Sequence, residues 1–199
     1  HHLDFEAVAF AVPLHTDVQP WGHVASQYSI HIETEDGLVH REFLWDSEGD
    51  QRRILAERLI EDLGEEGTIV VWNVAFEKGR IQDMAGWFSD LAPQLEALIP
   101  RLFDLWPVTK SNVQHPDFCG SYSLKAVAPI LVPGFSYDDL DIAGGGDAGG
   151  AMNLMMRGKV VDAMVPVLRG RLLRYCERDT EATVGILQAL RDMVTESAE

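Results

Sequence analysis

The chain has 199 residues, 46% hydrophobic and 24% charged, a length and balance that suit one domain with a proper core and exclude a mainly disordered chain. No apolar run approaches the roughly 18 residues of a membrane span, and two cysteines, Cys119 and Cys176, are too few for a disulfide framework, so the expectation is a reducing cytoplasm and no membrane partner. Sixteen Lys/Arg against 32 Asp/Glu leave a net charge of −16, which argues against a protein that coats nucleic acid electrostatically.

The charge is unevenly spread. Residues 33–66 carry a net −8, half the excess, whereas residues 157–178 hold Arg157, Lys159, Arg169, Arg171, Arg174 and Arg178 against Asp162 and Glu177 and lead straight into Asp179. The opening His1-His2 reads as the stub of a purification tag on a single domain, 1–199, excised from a longer protein.

In chain order, residues 3–12 predict a buried strand, and 24–33 and 38–45 two more, joined by Thr34-Glu35-Asp36-Gly37, a good hairpin signal. The loop at 13–23 carries Pro13, Pro20 and Trp21 and is long enough to act on a substrate. Residues 49–63 predict a helix with the stripe Ile54, Leu55, Leu59, Ile60, Leu63, ended by Gly64. Thr68–Trp72 is a short buried strand, after which Asn73 can cap a helix over 74–88. A helix over 91–99 stops at Pro100, and 101–106 is the last strand candidate. Ser123 can cap a helix over 124–131. Residues 143–150, with five glycines, predict a loop, 151–157 a short Met-rich helix and 166–194 a long final helix. Three antiparallel strands followed by strands alternating with helices imply an α/β fold, a mixed five-stranded sheet flanked by helices.

Three acidic positions stand out. Asp4 and Glu6 share one face of the first strand, continued by Val8 and Phe10, with Cα atoms about 6–7 Å apart. Two acids on a buried face cost several kcal/mol unless compensated, and a hard divalent cation with oxygen ligands compensates directly; the alternative is an edge strand with both acids in water. Asp179 falls within the apolar stripe Leu172, Cys176, Asp179, Thr183, Ile186, Leu187, Leu190, with Tyr175 one turn before it. It needs a metal, a proton or a salt bridge to Arg174 or Arg178. Glu77 sits in the first turn of the helix after Asn73, where the helix dipole alone would favour an acid. His15, His23, His31, His40 and His115 show no zinc-ligand spacing with the cysteines, so no zinc site is expected, and Cys176 has no recognisable His partner as a thiol nucleophile.

The order of these residues resembles the DEDD (DnaQ-like) superfamily of 3′–5′ exonucleases, on the ribonuclease H-like fold. Asp4-Phe5-Glu6 is similar to that family's first motif, Asn73-Val74-Ala75-Phe76-Glu77 to its Asn-x-x-Phe-Asp setting, and Tyr175-Cys176-Glu177-Arg178-Asp179 to its Tyr-x-x-x-Asp motif. Arg101–Leu105, Ser123-Leu124-Lys125-Ala126 and the Gly-Gly-Ala before the Met-rich helix also look like family segments, nearest to a bacterial subgroup found downstream of RecB-type nuclease domains. The resemblance implies two Mg²⁺ or Mn²⁺ ions held by Asp4, Glu6, Glu77 and Asp179, a water oriented by Tyr175, and hydrolysis at the 3′ end of DNA or RNA. Asn73, Arg174 and Arg178 would contact the nucleic acid, Trp21, Trp87 and Trp106 could stack on its bases, and an upstream nuclease domain is the expected partner. Glu77 stands where active members carry Asp, so the alternative is a catalytically weakened module that binds nucleic acid or docks a partner nuclease.

Overall fold

In a computed structural model, which describes residues 1–46, 49–142 and 144–196, five strands form one mixed sheet in the order β3-β2-β1-β4-β5. β1 (His2–Ala9), β2 (His23–Thr34) and β3 (Gly37–Leu44) are antiparallel neighbours. β4 (Ile69–Val71) pairs parallel with β1, and β5 (Leu102–Asp104) parallel with β4. This is the expected α/β class. The β2–β3 register runs to Thr34 opposite Gly37, so Glu35 and Asp36 form the tight turn, and Gly37 adopts a φ of 126° that a side chain would resist.

Helices cover both faces. Against one face lie α1 (Arg52–Leu63), α2 (Val74–Trp87) and α3 (Ala92–Leu98). Leu3 and Phe5 of β1, Tyr28 and Ile30 of β2, and Ile69 and Val71 of β4 pack there with Leu55, Leu59, Ile81, Met84 and Leu95. The predicted stripe of α1 is shifted slightly: Leu55, Ala56, Leu59 and Leu63 are buried, while Ile54 is exposed. The helix begins at Arg52, whose buried guanidinium pairs with Asp17 and Asp50.

The opposite face carries α6 (Gly145–Met156) and α7 (Val165–Glu196). Val8, Phe10 and Val24 meet Met152, Met155, Leu172 and Tyr175 at one end. Val70 meets Ala182, Ile186, Leu105 of α4 (Leu105–Asn112) and Val127 of α5 (Leu124–Leu131) at the other. Between these apolar patches the seam of α7 on β1 and β2 is polar. His2 Nδ1 lies 3.2 Å from Thr183 Oγ1, Ser29 Oγ and His31 Nδ1 each lie 2.8 Å from Thr180 Oγ1, and Gln27 Nε2 donates to the Leu172 carbonyl at 2.9 Å. Burial, with His40 and His2 adding to it, pushes His31 down to about 4, so it is neutral.

Three expectations are corrected. The candidate strand at 101–106 stops at Asp104, because its carboxylate accepts from the Trp106 amide and opens α4. The glycine run is helical from Gly145, not a loop; its first residue, Ala143, lies outside the described residues. The reason is proximity: a Cβ on Gly149 would sit 3.6 Å from the Ala7 carbonyl, and one on Gly145 3.8 Å from a Glu6 carboxylate oxygen, so small residues let α6 lie close against β1. Residues 151–157 are therefore the second half of a longer helix, ending at Met156. At the start of the chain, His2 belongs to β1, is 1% exposed and bonds Glu33 at 2.8 Å as well as Thr183.

Candidate metal centre

β1 alternates without interruption through Asp4, Glu6 and Val8, because the irregularity in its pairing with β2 is taken up on β2: Glu6 faces Gln27 and Ala7 faces Ala25, leaving Ser26 as the extra residue. Both acids therefore point at α7. On α7 the spacing of Leu172, Cys176, Asp179 and Thr183 directs all four inward, and all are buried. Carboxylate oxygens of Asp4, Glu6 and Asp179 lie within 4.8 Å of one another. Three of the four expected acids thus meet, from the two ends of the chain.

The electrostatics are those of crowded acids in a poorly solvated site. Burial, then Asp179, Glu6 and Glu77, drive the Asp4 carboxyl well above its ordinary range. Burial and Asp179 push Glu6 up to about 8, against the pull of Lys125. Burial raises Asp179 to about 6, opposed by the hydroxyl of Tyr137, by Lys125 and by the hydroxyl of Tyr175. Burial, foremost, keeps the phenol of Tyr175 strongly protonated, with Asp179 and Glu6 adding to it. The Cys176 thiol is also held protonated by burial and lies 3.5 Å from Asp4 Oδ2, the state of a donor rather than a nucleophile.

Glu77 lies outside this group among the described residues. It is 2% exposed, within electrostatic reach of Asp4 and Asp104, and pushed up to about 8, chiefly by burial. Its Oε2 is buried without a hydrogen-bond partner. An orphaned buried carboxylate oxygen beside three clustered carboxylates is a set of hard oxygen donors, and it fits Mg²⁺ or Mn²⁺. Asp4, Glu6 and Asp179 would hold the first cation, with Glu77 within electrostatic reach of Asp4.

The start of α2 differs from expectation. Asn73 has a left-handed backbone (φ 75°), and its side chain does not cap the helix. Asp104 does so instead, accepting from the amides of Asn73 and Val74 at 3.0 Å each. One carboxylate at the end of β5 thereby starts both α2 and α4, and fixes the turn that carries Glu77. An Asp two residues before an amide that needs a partner is a legible capping signal, masked here by the apolar pattern of 101–106.

Two further residues at the site were not expected. Tyr137 donates its hydroxyl to Asp179 Oδ1 at 2.8 Å. Lys125, in the first turn of α5 after the Ser123 cap, places Nζ 4.6 Å from the ring centre of Tyr175 and 5.4 Å from that of Tyr137. The Ser-Leu-Lys segment hinted at Lys125. Nothing local marks Tyr137, which reaches the site from the turn between α5 and α6.

The expected nucleic-acid contacts fare unequally. Arg178 is 8% exposed and spent on the carbonyl of Ser136, on both carboxylate oxygens of Asp139 (2.9 Å each) and on Glu181. It anchors the turn that carries Tyr137, and so is not offered to a phosphate or to Asp179. Arg174 is half exposed, near Asp139 and Glu177. Arg169 and Arg171 are also engaged, with the carbonyls of Leu44 and Trp45 and with Asp141. Trp87 lies under the Arg52 guanidinium at 4.7 Å and packs on the core, whereas Trp21 is 68% exposed. Asn73 and Trp106 line a cleft of about 720 Å³ together with Trp72, Lys110, Tyr122 and Ser123.

Residues 1–123 match a family described as a domain of unknown function, DUF2779. The chain belongs to that family. The match takes in β1 through β5 and α4, hence Asp4, Glu6 and Glu77, and stops before Lys125, Tyr137 and α7. Over 98% of its length the chain is 24% identical to the uncharacterized protein MG366 homolog of Mycoplasma pneumoniae. It spans 32% of that relative, about a third. No solved structure matches. No helix among the described residues is long and apolar enough to cross a membrane.

Proposed function

We propose that this domain is a metal-dependent nuclease of the DEDD 3′–5′ exonuclease type, on a ribonuclease H-like sheet, releasing nucleoside 5′-monophosphates from the 3′ ends of DNA or RNA. The observation that carries the reading is the convergence of Asp4, Glu6 and Asp179 oxygens within 4.8 Å, with the Tyr137 and Tyr175 hydroxyls against Asp179. Two Mg²⁺ or Mn²⁺ ions, when bound, would supply Lewis acidity at the scissile phosphate. The protein's own groups do the positioning. Tyr137 holds one oxygen of Asp179 and so fixes its rotamer. Tyr175, whose phenol keeps its proton, orients the attacking water by hydrogen bond and is too weak an acid to serve as the base. Lys125 offsets part of the acidic charge before substrate arrives. The aromatic cleft that contains Asn73 and Trp106 runs from the start of α2 to the cap of α5, between the segments that carry Glu77 and Lys125, and suits a stacked base near a 3′ end. The setting would be cytoplasmic, with a nuclease domain upstream in a longer protein.

The test is stepwise 3′-end shortening of 5′-labelled single-stranded DNA and RNA with Mn²⁺ or Mg²⁺, lost in Asp179→Asn. A second reading rests on Glu77, which stands apart from the three-carboxylate group. On that reading the domain binds nucleic acid or docks a nuclease without turnover, and the same assay returns bound metal and intact substrate.

A further inference from the structure

We infer that the domain carries a second metal site, for a borderline divalent transition metal of the Zn²⁺ class, formed by His31, His40 and Glu177 on the outer half of the polar seam. Ligand atoms of these three residues lie within 4.8 Å of one another. His31 of β2 and His40 of β3 are directly opposite across the hairpin, with rings stacked at 4.6 Å. Glu177 of α7 places Oε1 3.8 Å from His40 Nδ1. That distance is too long for a hydrogen bond and close to the roughly 3.3 Å that separates two ligands on a tetrahedral zinc with 2.0–2.1 Å bonds.

The hydrogen bonds behind the site orient both imidazoles for a metal. The Thr180 hydroxyl donates its one proton to the Glu177 carbonyl at 2.9 Å. Thr180 Oγ1 therefore accepts from its other two neighbours, the Ser29 hydroxyl and the Nδ1–H of neutral His31, each at 2.8 Å. Ser29, its proton spent on Thr180, must accept from the Nε2–H of His40 at 2.9 Å. The chain leaves lone pairs on Nε2 of His31 and Nδ1 of His40, the nitrogens turned away from the hydroxyls. A ligating histidine whose other N–H is tied to a fixed acceptor is the usual outer-shell support of a metal site. Glu42, opposite Ser29 in the register, feels the charge of His40 and Glu177 and adds negative potential beside the site. Two imidazoles with one carboxylate favour Zn²⁺, Ni²⁺ or Cu²⁺ over Mg²⁺, which separates this site from the all-oxygen group at Asp4. A metal here would clamp the β2–β3 hairpin to α7, the helix that carries Asp179. The inference does not depend on nuclease activity.

The test uses Co²⁺ as a visible probe and Zn²⁺ as competitor, on the whole domain. One equivalent of Co²⁺ should give the intense visible bands of a four- or five-coordinate site, displaced by one equivalent of Zn²⁺. The bands should persist in the Asp4→Asn/Asp179→Asn double variant and vanish in His40→Ala and in Glu177→Gln, both at partly exposed positions. In the unmutated protein, long-range ¹H–¹⁵N spectra should show the Nδ1–H tautomer for His31 and the Nε2–H tautomer for His40, and Zn²⁺ should shift Nε2 of the first and Nδ1 of the second. Bands that disappear with the carboxylate variants but survive His40→Ala would overturn the inference. So would imidazole resonances that ignore Zn²⁺.

Discussion

The two faces of the sheet solve opposite problems. The face under α1, α2 and α3 is closed by aliphatic and aromatic side chains such as Leu3, Leu59, Ile81 and Leu95, each 1% exposed or less. The face under α7 splits its apolar contacts into two patches and fills the space between with His2, Gln27, Ser29, His31, Thr180, Thr183 and three carboxylates. Hydrophobic burial is non-directional and accepts many shapes. A polar seam holds only when each donor meets an acceptor, and its crowded carboxyls must be neutralised by a proton or a cation. The first face is closed by apolar packing alone; the second keeps buried carboxyl groups that packing does not satisfy.

This contrast can be broken most sharply at Asp179. Asp179→Asn should cost more than about 100-fold in mononucleotide release, beyond the 10–100-fold typical of a residue that only supports a ligand. In the presence of EDTA near pH 8, the same variant should melt higher than the wild type, because it removes the most readily ionised of the three crowded carboxyls. A lower melting temperature in EDTA would mean that the acids are paired rather than repelling. On the other face, Leu59→Ala should cost about 2–5 kcal/mol in chemical denaturation, with metal-induced stabilisation left intact.

The pH dependence of the metal-free protein sharpens the contrast further. Glu6 and Glu77 are raised to about 8 and Asp179 to about 6, all above their unfolded values. The native state then binds more protons than the unfolded state, so stability is full below the unfolded carboxyl range and falls as pH rises toward about 8. Denaturation in EDTA should show this decline between about pH 5 and pH 8.5, and millimolar Mg²⁺ or Mn²⁺ should restore most of it, more at the higher pH, where metal no longer competes with protons. A flat profile would remove the charge crowding from the seam. The smallest effect concerns α6. Gly150 has nothing within 4 Å of the place a Cβ would occupy, so Gly150→Ala should stabilise the protein by about 0.5–1 kcal/mol if the glycine run is helical, and not otherwise.

Local pattern was enough for much of the architecture. The hairpin turned where Asp36-Gly37 said it would, Ser123 accepts the predicted cap bond from Ala126, and the stripe of α7 carries Asp179 inward. Pattern failed where two local codes overlapped. Arg101–Trp106 is apolar enough for a strand, yet Asp104 divides it between β5 and α4. Glycines at 144–150 argue for a loop on propensity, and contact with β1 overrides that preference. At the site, Asp4, Glu6 and Asp179 were readable because an acid on an apolar stripe is anomalous in one dimension. Tyr137 was not, since a tyrosine in a turn is unremarkable until its hydroxyl is seen on Asp179. Arg178 misled for the converse reason: a basic run reads as free charge, and here the guanidinium is buried against Asp139.

Alternation along β1 and the three-and-four spacing along α7 were sufficient to say which acids turn inward, because each is a property of a single element. Whether they meet depends on how α7 lies across the sheet, and so does everything that joins distant segments. His31, His40 and Glu177 have no signature spacing, and Lys125 and Tyr137 no periodicity. Their conjunction exists only because packing brings β2, β3, α5, the turn after it and α7 to the same side of one sheet.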